Sequence, residues 1–406
     1  MRRGPVGLRW DRAVSSRVRI LFLAPRYPMP ALRGDQRRVL DLLRALRTKA
    51  EVTLLAFPSA REQPLPFDGV RVRTIRPSLP GRLLANAARP DPRLPAQVRL
   101  FLDAAMAHAC REELASRPDV VHVTLARMGP YLPRRGTWHR HLDLVDSLAL
   151  NMRTRAAASR GPQRVAFGIE ARLMEDYEAR LVAACESASL VAEADRLRAR
   201  GLQSAEVIPN GVDLEAFPFE APRERPDVLL FFGNLGYFHN IEPARRLATE
   251  VLPLVRAEIP GAVLRLVGAR PAASVRALAD VPGVEVVGGV DRMANALHGA
   301  AVAAIPMYSG SGMKNKVLES YAAGLPVVTN AAGISGIDGA QPGSDYALGE
   351  TPAELAAACV HLLRNPAARI AQATAARTLI EARYSWSRQA DRLLDLYTQP
   401  HPTPSP

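Results

Sequence analysis

The chain has few cysteines and few long apolar runs. Its 406 residues include three cysteines, Cys110, Cys185 and Cys359, which lie far apart and form no C-x-x-C pair. This spacing argues against a disulfide framework or a zinc site, and it is typical of proteins in a reducing compartment. The longest early apolar run, Ile20 to Pro25, is too short for a secretory signal core or a membrane span. We therefore expect a cytoplasmic protein without a metal site.

Aromatic residues are also scarce, at 5%, whereas 48% of the residues are hydrophobic and 23% are charged. This composition is typical of a soluble globular protein, and the length suits two domains. The net charge of +13 favours anionic partners, such as phosphorylated substrates or anionic lipid headgroups at the inner face of a membrane. Nucleic acid is disfavoured as a partner because no zinc-finger spacing, RNP-like aromatic run or arginine-rich tail concentrates the charge.

Lysine is the scarcest charged residue, since the 53 basic side chains include only Lys49, Lys314 and Lys316. The last two lie in the segment G-S-G-M-K-N-K-V-L-E-S, residues 310–320. A Gly-Ser-Gly turn before a helix exposes unpaired backbone N–H groups and so favours an anion. We interpret the segment as a nucleotide diphosphate site, with phosphates on the turn and ribose hydroxyls on Glu319.

Helical spacing separates the two lysines of this segment. At about 100° per residue, Lys314 and Lys316 are about 200° apart on a helix. Lys316 and Glu319 are three residues apart and share a face. We therefore assign Lys316 to the site and expect Lys314 to face solvent. The alternative is that Lys316 and Glu319 form only a surface ion pair.

Apolar strands alternate with helical stretches along the whole chain, which indicates an α/β protein with parallel sheets covered on both faces. The order predicts two doubly wound Rossmann-like domains, with strands of the second expected at Val228 to Phe232, Val302 to Ile305 and Val327 to Thr329, among others. A long helical stretch is expected through Tyr177 to Ser187. The predicted parts are a first domain at 17–205, a second at 206–383, a closing helix at 384–398, and flexible ends at 1–16 and 399–406.

Glycines and polar residues follow several strands of the second domain, where doubly wound sheets bind ligands. Glycine there either allows a ligand close to the backbone or serves only a tight turn. The candidates for donor binding are Gly233, Asn234, Gly236, Arg270, Gly288 and Val290.

The first domain has weaker candidates at its strand ends. Gly34 and Asp35 either admit an anionic group or form a turn with an N-cap. His122, inside the strand V-V-H-V-T, is either a packed core residue or part of the cleft. Arg127 follows that strand, and Asp146 follows the expected strand Leu142 to Val145. We assign Asp146 to the chemistry and the other four to the acceptor cleft.

Taken together, these motifs resemble the retaining glycosyltransferases of family 4, which have the GT-B fold. The matching segments cover nearly the whole chain and are APRYP…RGD at 24–35, VIPNGVD at 207–213, FFGNLG at 231–236, GSGMKNKVLESYAAGLPVV at 310–328 and YSW at 384–386. Within the family, the chain is most similar to sugar transferases of bacterial exopolysaccharide and exosortase systems, through RGDQRR at 33–38, LARMGPYL at 125–132 and DLVDSLALNM at 143–152.

The resemblance implies that the two domains face each other across a cleft and that the C-terminal helix crosses back to the first domain. It assigns ribose binding to Glu319, a diphosphate contact to Lys316 and backbone facing the phosphate to Gly312. Three positions depart from the family pattern. Ser311 replaces a second Glu, residues 237–240 replace an Arg and a Lys that clamp the diphosphate, and Asp146 replaces a cleft His.

The implied reaction transfers a sugar from a nucleotide-diphospho sugar to a glycan, lipid-linked or small-molecule acceptor, with retention and without metal or cofactor. Ser311, Gly312, Lys316 and Glu319 would bind the donor, and Asp146 would orient the acceptor hydroxyl or the sugar. The expected setting is exopolysaccharide or cell-surface glycan synthesis. Two alternatives remain, a sugar-nucleotide epimerase and a non-catalytic sugar-nucleotide-binding subunit.

Overall fold

The computed structural model describes residues 17–398, apart from residues 32, 60, 135, 223–225 and 310–312. The chain forms two compact units, which divide between Pro209 and Asn210. The division lies four residues after the boundary expected at 205/206. The reason is that the strand Glu206–Val207 pairs with the first sheet, and the Ile208 carbonyl accepts a hydrogen bond from Arg38 of the first unit.

The first unit contains a parallel sheet with the strand order β3-β2-β1-β4-β5-β6-β7. The inner strand β1 has the sequence VRILFLA, whose last five residues are buried, as expected when helices cover both faces of a sheet. The strands are β1 (Val18–Ala24), β2 (Ala50–Ala56), β3 (Val70–Thr74), β4 (Val120–Thr124), β5 (His139–Asp143), β6 (Ser187–Leu190) and β7 (Glu206–Val207).

Helices connect these strands and supply the other half of the core. The helix Gly34–Leu46, for example, buries Val39, Leu42, Leu43 and Leu46, which recur at helical spacing. The helices are α1 (Gly34–Leu46), α2 (Leu79–Ala87), α3 (Ala96–Arg99), α4 (Ala104–Ala115), α5 (Leu148–Ala158), α6 (Gly161–Ala184) and α7 (Glu193–Arg198). A 3₁₀ helix, Ala126–Tyr131, follows β4.

The second unit contains a parallel sheet with the strand order β10-β9-β8-β11-β12-β13. Three strands occupy the ranges expected from their apolar runs, because each run is fully buried and is followed by Gly, Pro or a polar residue. The strands are β8 (Val228–Phe232), β9 (Val263–Val267), β10 (Val284–Gly288), β11 (Val302–Ile305), β12 (Val327–Thr329) and β13 (Ala347–Leu348).

Helices of the second unit follow each strand in turn. The helix Asn315–Ala323, which carries Lys316 and Glu319, ends at Gly324 in the left-handed conformation, φ +77°. The helices are α8 (Phe238–Arg246), α9 (Leu252–Glu258), α10 (Ala273–Arg276), α11 (Met293–His298), α12 (Asn315–Ala323), α13 (Ala331–Ile334), α14 (Pro352–Arg364) and α15 (Pro366–Arg383). A π-helical turn, Leu247–Val251, joins α8 to α9.

The closing helix α16 (Trp386–Thr398) is divided between the units, because its residues from Gln389 onward belong to the first unit. In the first unit, the Tyr397 hydroxyl of this helix is hydrogen-bonded to His122 of β4, with 2.7 Å between Oη and Nδ1. The described part of the closing helix thus completes the core of the first unit.

Two expectations about local structure are wrong. The helical stretch expected through Ser187 ends at Ala184, and Ser187–Leu190 forms strand β6, because the short sequence SASL has too little apolar periodicity to indicate a strand. The strand expected at Leu142–Val145 is His139–Asp143. Its polar His141 is buried because Ser187 and Ser189 of the neighbouring strand hydrogen-bond both ring nitrogens.

A search for membrane spans over the described residues finds no helix that is both long and apolar enough to cross a bilayer.

Candidate functional site

The second sheet has its topological switch point between β8 and β11, since the chain runs outward in opposite directions from these neighbouring strands. In doubly wound sheets, ligands bind beyond the carboxyl ends of the strands at this place. Strand β8 ends at Phe232 and is followed by Gly233, and β11 ends at Ile305 and leads to the segment before α12. The predicted donor residues of 233–236 and 311–319 therefore follow the two strands of the switch point.

The loop after β8 packs its backbone tightly against the loop after β9. The Gly233 N–H donates to the Val267 carbonyl at 3.0 Å, and a Cβ added at Gly268 would lie 1.5 Å from the Gly233 oxygen. A Cβ at Gly236 would lie 2.5 Å from the Arg270 oxygen. Glycine is therefore required here for packing within the protein, and Gly233 additionally has a φ of +139° that favours glycine.

The Lys316 ammonium lies directly beside this loop. It donates a hydrogen bond of 2.8 Å to Asn240 Oδ1, and it lies 4.2 Å from the centre of the Phe231 ring. A Cβ added at Gly233 would be 3.4 Å from the same nitrogen. The side chain thus reaches from the first turn of α12 to the carboxyl end of β8.

Burial lowers the pKa of Lys316 to about 7, an effect that the nearby Glu319 carboxylate opposes and the Lys314 charge reinforces. A lysine of this kind gains its full charge when an anion arrives. The arrangement is thus suited to a phosphate group, whose negative charge would favour the protonated ammonium.

The expectation that Lys314 faces solvent is wrong, because only 9% of the residue is exposed. Helix α12 begins at Asn315, and Lys314 occupies the N-cap position with extended backbone angles, φ −96° and ψ 93°. The angle of about 100° per residue therefore does not apply between the two lysines. Lys314 is thus buried and Lys316 partly buried, and Lys314 is close enough to influence the charge of Lys316.

Glu319 lies one turn after Lys316 on α12, is partly buried, and acts electrostatically on Lys316. Ser320 beside it is fully buried and donates its hydroxyl to the Lys316 carbonyl at 2.8 Å. The shared face of Lys316 and Glu319 therefore presents a cation and a carboxylate at the same switch point.

Asn240 is a site residue that the sequence reasoning did not assign. Its Nδ2 donates to the Asn234 carbonyl at 2.9 Å, while its Oδ1 accepts from Lys316. One amide thus holds both the glycine loop and the lysine. Its neighbour His239 has its Nδ1 2.6 Å from the Ser309 hydroxyl. The signal for Asn240 was its position in the segment 237–240, where the family resemblance expects diphosphate-clamping residues.

The remaining donor candidates lie at the same edge of the sheet or outside the described part of the chain. Arg270 is exposed and has a left-handed backbone, φ +54°. Gly288, φ +76°, has open space where a Cβ would point, and Val290 is 37% exposed. Ser311 and Gly312 lie outside the described residues.

The first sheet has its own switch point, between β1 and β4. Arg127 follows β4 in the 3₁₀ helix and donates from Nε and Nη2 to Gln97 Oε1. Asp35 lies in the first turn of α1 and forms an ion pair of 2.6 Å with Arg26. Gly34, the first residue of α1, has open space where a Cβ would point. Three of the four acceptor candidates therefore lie near one switch point.

The assignment of His122 to the cleft is wrong. The residue is 0% exposed, stacks on Phe22 with 4.0 Å between ring centres, and hydrogen-bonds Tyr397. Burial lowers the pKa of His122 to about 4, although the Asp143 carboxylate at 4.0 Å opposes this shift. The ring is a neutral core residue, because β4 is the central strand of the sheet and all five of its residues are buried.

Asp143 is also buried and is the partner of the buried Arg38, with 2.7 Å between its Oδ2 and Arg38 Nε. Burial by itself would raise the pKa of Asp143, but the Arg38 guanidinium lowers the pKa below its ordinary value. Ser189 donates to the second carboxylate oxygen at 3.2 Å. This carboxylate therefore has a role inside the core of the first unit.

Asp146 follows β5 by three residues and is partly exposed. Val145 before it has a strained backbone, φ +63°, and Ser147 after it caps α5. The Ser147 hydroxyl and the Leu148 N–H both donate to the buried Glu178, at 2.9 and 2.7 Å. Burial raises the pKa of Glu178 to about 7, against these hydrogen bonds. Asp146 is thus held on a rigid turn.

The described residues contain no group of three or more His, Cys, Asp or Glu side chains arranged to hold a metal ion.

Comparison with known proteins places this geometry in context. Residues 226–365 match the sequence model of the family described as Glycosyl transferases group 1. The glycogen synthase of Mycobacterium tuberculosis is 32% identical over 229 residues, which are 52% of this chain and 52% of that protein. The D-inositol 3-phosphate glycosyltransferase of Nocardiopsis dassonvillei is 31% identical over 218 residues, 47% of this chain and 49% of that protein. The chain thus spans about half the length of these relatives.

Solved structures match over nearly the whole chain. Sucrose-phosphate synthase from Thermosynechococcus elongatus has a TM-score of 0.68 at 18% identity, covering 94% of this chain and 98% of that one. Anabaena HepE in complex with UDP-glucose has a TM-score of 0.64 at 15% identity, covering 93% and 99%. WaaG, a glycosyltransferase of lipopolysaccharide biosynthesis, has a TM-score of 0.61 at 14% identity, covering 93% and 99%.

These likenesses agree with the two parallel sheets. The chain has the α/β fold of the GT-B glycosyltransferases, and its residues 226–365 carry the similarity to the group 1 family of these enzymes.

Proposed function

We propose that this protein is a glycosyltransferase whose second unit binds a nucleoside-diphospho sugar and whose first unit binds the acceptor. The observation that carries the proposal is the Lys316 ammonium, held by Asn240 beside Gly233 at the switch point of the second sheet. Two similar proteins are named as a glycogen synthase and a glycosyltransferase, and HepE structures contain UDP and UDP-glucose. Both facts support a nucleotide-sugar donor for this chain.

The proposed chemistry depends on the charge of the leaving diphosphate. As the bond from the anomeric carbon to the phosphate oxygen breaks, negative charge grows on the diphosphate. The Lys316 ammonium and the N–H groups at the start of α12 would stabilise that charge where it develops. Glu319 would hold the ribose hydroxyls. No step of this proposal requires a metal or a cofactor.

The acceptor hydroxyl would attack the anomeric carbon as the bond to the diphosphate breaks, and its proton would pass to the departing phosphate oxygen. We propose that Asp146 orients this hydroxyl or the sugar, since it lies on a turn fixed by Val145 and Ser147. The resemblance to family 4 supports retention of the anomeric configuration. The resemblance to exopolysaccharide and exosortase-associated members supports a role in exopolysaccharide or cell-surface glycan synthesis with a glycan, lipid-linked or small-molecule acceptor.

We further propose that the protein works in the cytoplasm, in peripheral contact with an anionic membrane. The support is helix α2, which buries none of its residues and exposes Leu79, Leu83 and Leu84 by 63–71%. Arg76 and Arg82 are exposed beside these leucines. Apolar side chains flanked by arginines suit a surface of anionic lipid headgroups.

The direct test is sugar transfer by purified wild-type, Lys316→Ala and Glu319→Ala proteins, with a panel of UDP-, GDP-, TDP- and ADP-sugars. We expect each substitution to lower kcat by about a hundredfold or more, as does the loss of a group that stabilises developing charge. Lys49→Ala is the matched control, because Lys49 pairs with Asp391 in the first unit. Near-normal rates in both site variants would exclude this site assignment.

Product analysis distinguishes the alternatives. NMR of the product gives the anomeric configuration and so tests retention. An epimerase would convert the nucleotide sugar with no acceptor present. A non-catalytic subunit would show donor-dependent thermal stabilisation without turnover against any acceptor.

A further inference from the structure

Four arginines gather at the switch point of the first sheet. Arg26 follows β1, Arg127 follows β4, Arg33 immediately precedes α1 and Arg155 lies in α5. The charges of Arg26, Arg33 and Arg155 all act on the Arg127 guanidinium. We call these residues the arginine group. The proposed chemistry of the second unit does not use them.

One aromatic ring holds two members of the group. The guanidinium carbons of Arg26 and Arg127 lie 5.6 and 5.9 Å from the centre of the Phe101 ring. Cation–π contacts of this kind fix the planes of both guanidiniums. Arg127 is held further by its two hydrogen bonds to Gln97. Both cations are thus held against the same ring.

The charge of the group is only partly compensated. The Asp35 carboxylate, which favours the charged form of Arg127, also pairs with Arg26. Burial lowers the pKa of Arg127 to about 10, and the neighbouring Arg26 charge adds to the shift. The guanidinium stays protonated at neutral pH, but at a free-energy cost that an anion would relieve.

Gln97 supplies a further donor beside the group. Its Oε1 accepts from Arg127, while its buried Nε2 has no hydrogen-bond acceptor among the residues that the structure describes. The nearby Glu170 carboxylate is occupied by the backbone N–H groups of Ala96 and Gln97, at 2.9 Å each. A buried N–H donor next to clustered guanidiniums indicates a place for an oxygen-bearing anion.

We propose that the arginine group binds a phosphate or diphosphate group of the acceptor, which makes the acceptor a phosphorylated molecule. The word acceptor rests on the proposed function, whereas the binding of the anion does not. Guanidiniums bind phosphate oxygens through paired N–H donors. Among the residues that the structure describes, Arg33, Arg127 and Arg155 form no ion pair with a carboxylate. A ligand with a single carboxylate would compensate one of these charges, so a phosphate or diphosphate matches the site better.

Calorimetric titration of the full chain with inorganic pyrophosphate tests the proposal. The background is Lys316→Ala, which removes the lysine from the other switch point. We expect Arg127→Gln and Arg33→Gln each to weaken pyrophosphate binding by about tenfold. Arg155→Gln serves as a second variant that cannot disturb the core, since Arg155 is exposed.

Arg111→Gln is the matched control, because Arg111 is exposed on α4 and outside the group. Retained affinity in Arg127→Gln, Arg33→Gln and Arg155→Gln would overturn the proposal. An equal loss in Arg111→Gln would also overturn it, since it would show that only the net charge matters.

Two further probes distinguish the source of the phosphate. Glycerol 3-phosphate represents a soluble phosphorylated acceptor, and phosphatidylcholine vesicles doped with dodecyl phosphate represent a lipid-linked one, with undoped vesicles as the control. Arginine-dependent binding of either probe supports the proposal, and binding of neither overturns it. Pyrophosphate binding without any sugar transfer would leave this inference standing while the proposed function fails. Sugar transfer by a protein whose pyrophosphate binding does not depend on these arginines would leave the proposed function standing while this inference fails.

Discussion

The two sheets have the same kind of topological switch point, but different residues surround it in each sheet. Beyond β8 and β11 the chain offers glycines, an amide and one lysine whose pKa lies near 7. Beyond β1 and β4 it offers arginines that stay charged, set on an aromatic ring. The first arrangement allows backbone close to a ligand, and the second presents several fixed charges. Topology thus selects the place of binding, and side chains select the ligand.

The interiors of the two units differ as well. Strands β8, β11 and β12 of the second unit are fully buried, and the Thr329 that ends β12 is their one polar residue. Beneath the first switch point, Arg38, Asp143 and Ser189 form a buried polar network. A buried ion pair is costly to break, because removing one partner leaves the other charge uncompensated. We therefore expect substitutions in the two interiors to have different consequences.

The largest expected effect is on the free energy of unfolding, when the buried ion pair of the first unit is broken. Arg38→Met should lower the free energy of unfolding by about 3–5 kcal/mol, because Asp143 is left charged and buried. Urea denaturation measures the change. The double variant Arg38→Met with Asp143→Leu should recover much of the loss. A single variant as stable as the wild type would show that the pair contributes little and would weaken the contrast between the two interiors.

The second effect concerns the glycine loops of the second unit. Gly268→Ala should lower donor affinity by more than tenfold, because its Cβ would meet the Gly233 oxygen at 1.5 Å and displace the loop beside Lys316. Gly343→Ala is the matched control, since it lies outside the donor candidates, its Cβ would meet open space and only its φ of +83° is strained, at a cost of about 1 kcal/mol. Thermal-shift titration with the donor compares them. Equal affinities would show that the loop contact does not shape the site.

The third effect separates a titrating lysine from permanently charged arginines. Donor binding should be tight below pH about 7 and weaken above it by up to about tenfold per pH unit, because the Lys316 ammonium must be protonated to meet the diphosphate. Affinity measured between pH about 6.5 and 8.5 tests this, with the window set by the Lys316 pKa. In Lys316→Met the affinity should be weak and independent of pH. The same slope in both proteins would assign the titration to another group.

The smallest expected effect is on the pH dependence of stability, and it comes from Glu178, which binds the residues that follow Asp146. The pKa of Glu178 in the folded protein is about 7, above its ordinary value of 4.5, so the folded state binds more protons than the unfolded state between these values. The contribution of Glu178 to the free energy of unfolding is therefore fully present below pH about 4.5, and it is lost as the pH rises to about 7. Glu178→Gln should flatten this loss by about 1–3 kcal/mol in denaturation at several pH values. Parallel pH profiles of the free energy of unfolding in the wild type and in Glu178→Gln would contradict this prediction.

Regular elements with strong apolar runs were predictable from the sequence. The ranges of β8, β11 and β12 agree with the expected strands because each run is bounded by residues that end it. Strand β6 was not predictable, since SASL is stabilised by hydrogen bonds to His141 on a strand more than 40 residues away. The buried position of Lys314 depended on where α12 begins, which helical spacing could not indicate.

The sequence by itself determined the α/β class, the succession of strands and helices in two doubly wound halves, and the segment that carries Lys316 and Glu319. Local spacing is sufficient for these features, because periodicity and turn residues act over a few neighbours. Only the tertiary structure decided that Lys316 meets Asn240 and Gly233, that His122 belongs to the core, and that arginines from four separate segments share one place. These contacts join residues far apart in the chain, and only the packed sheets bring them together.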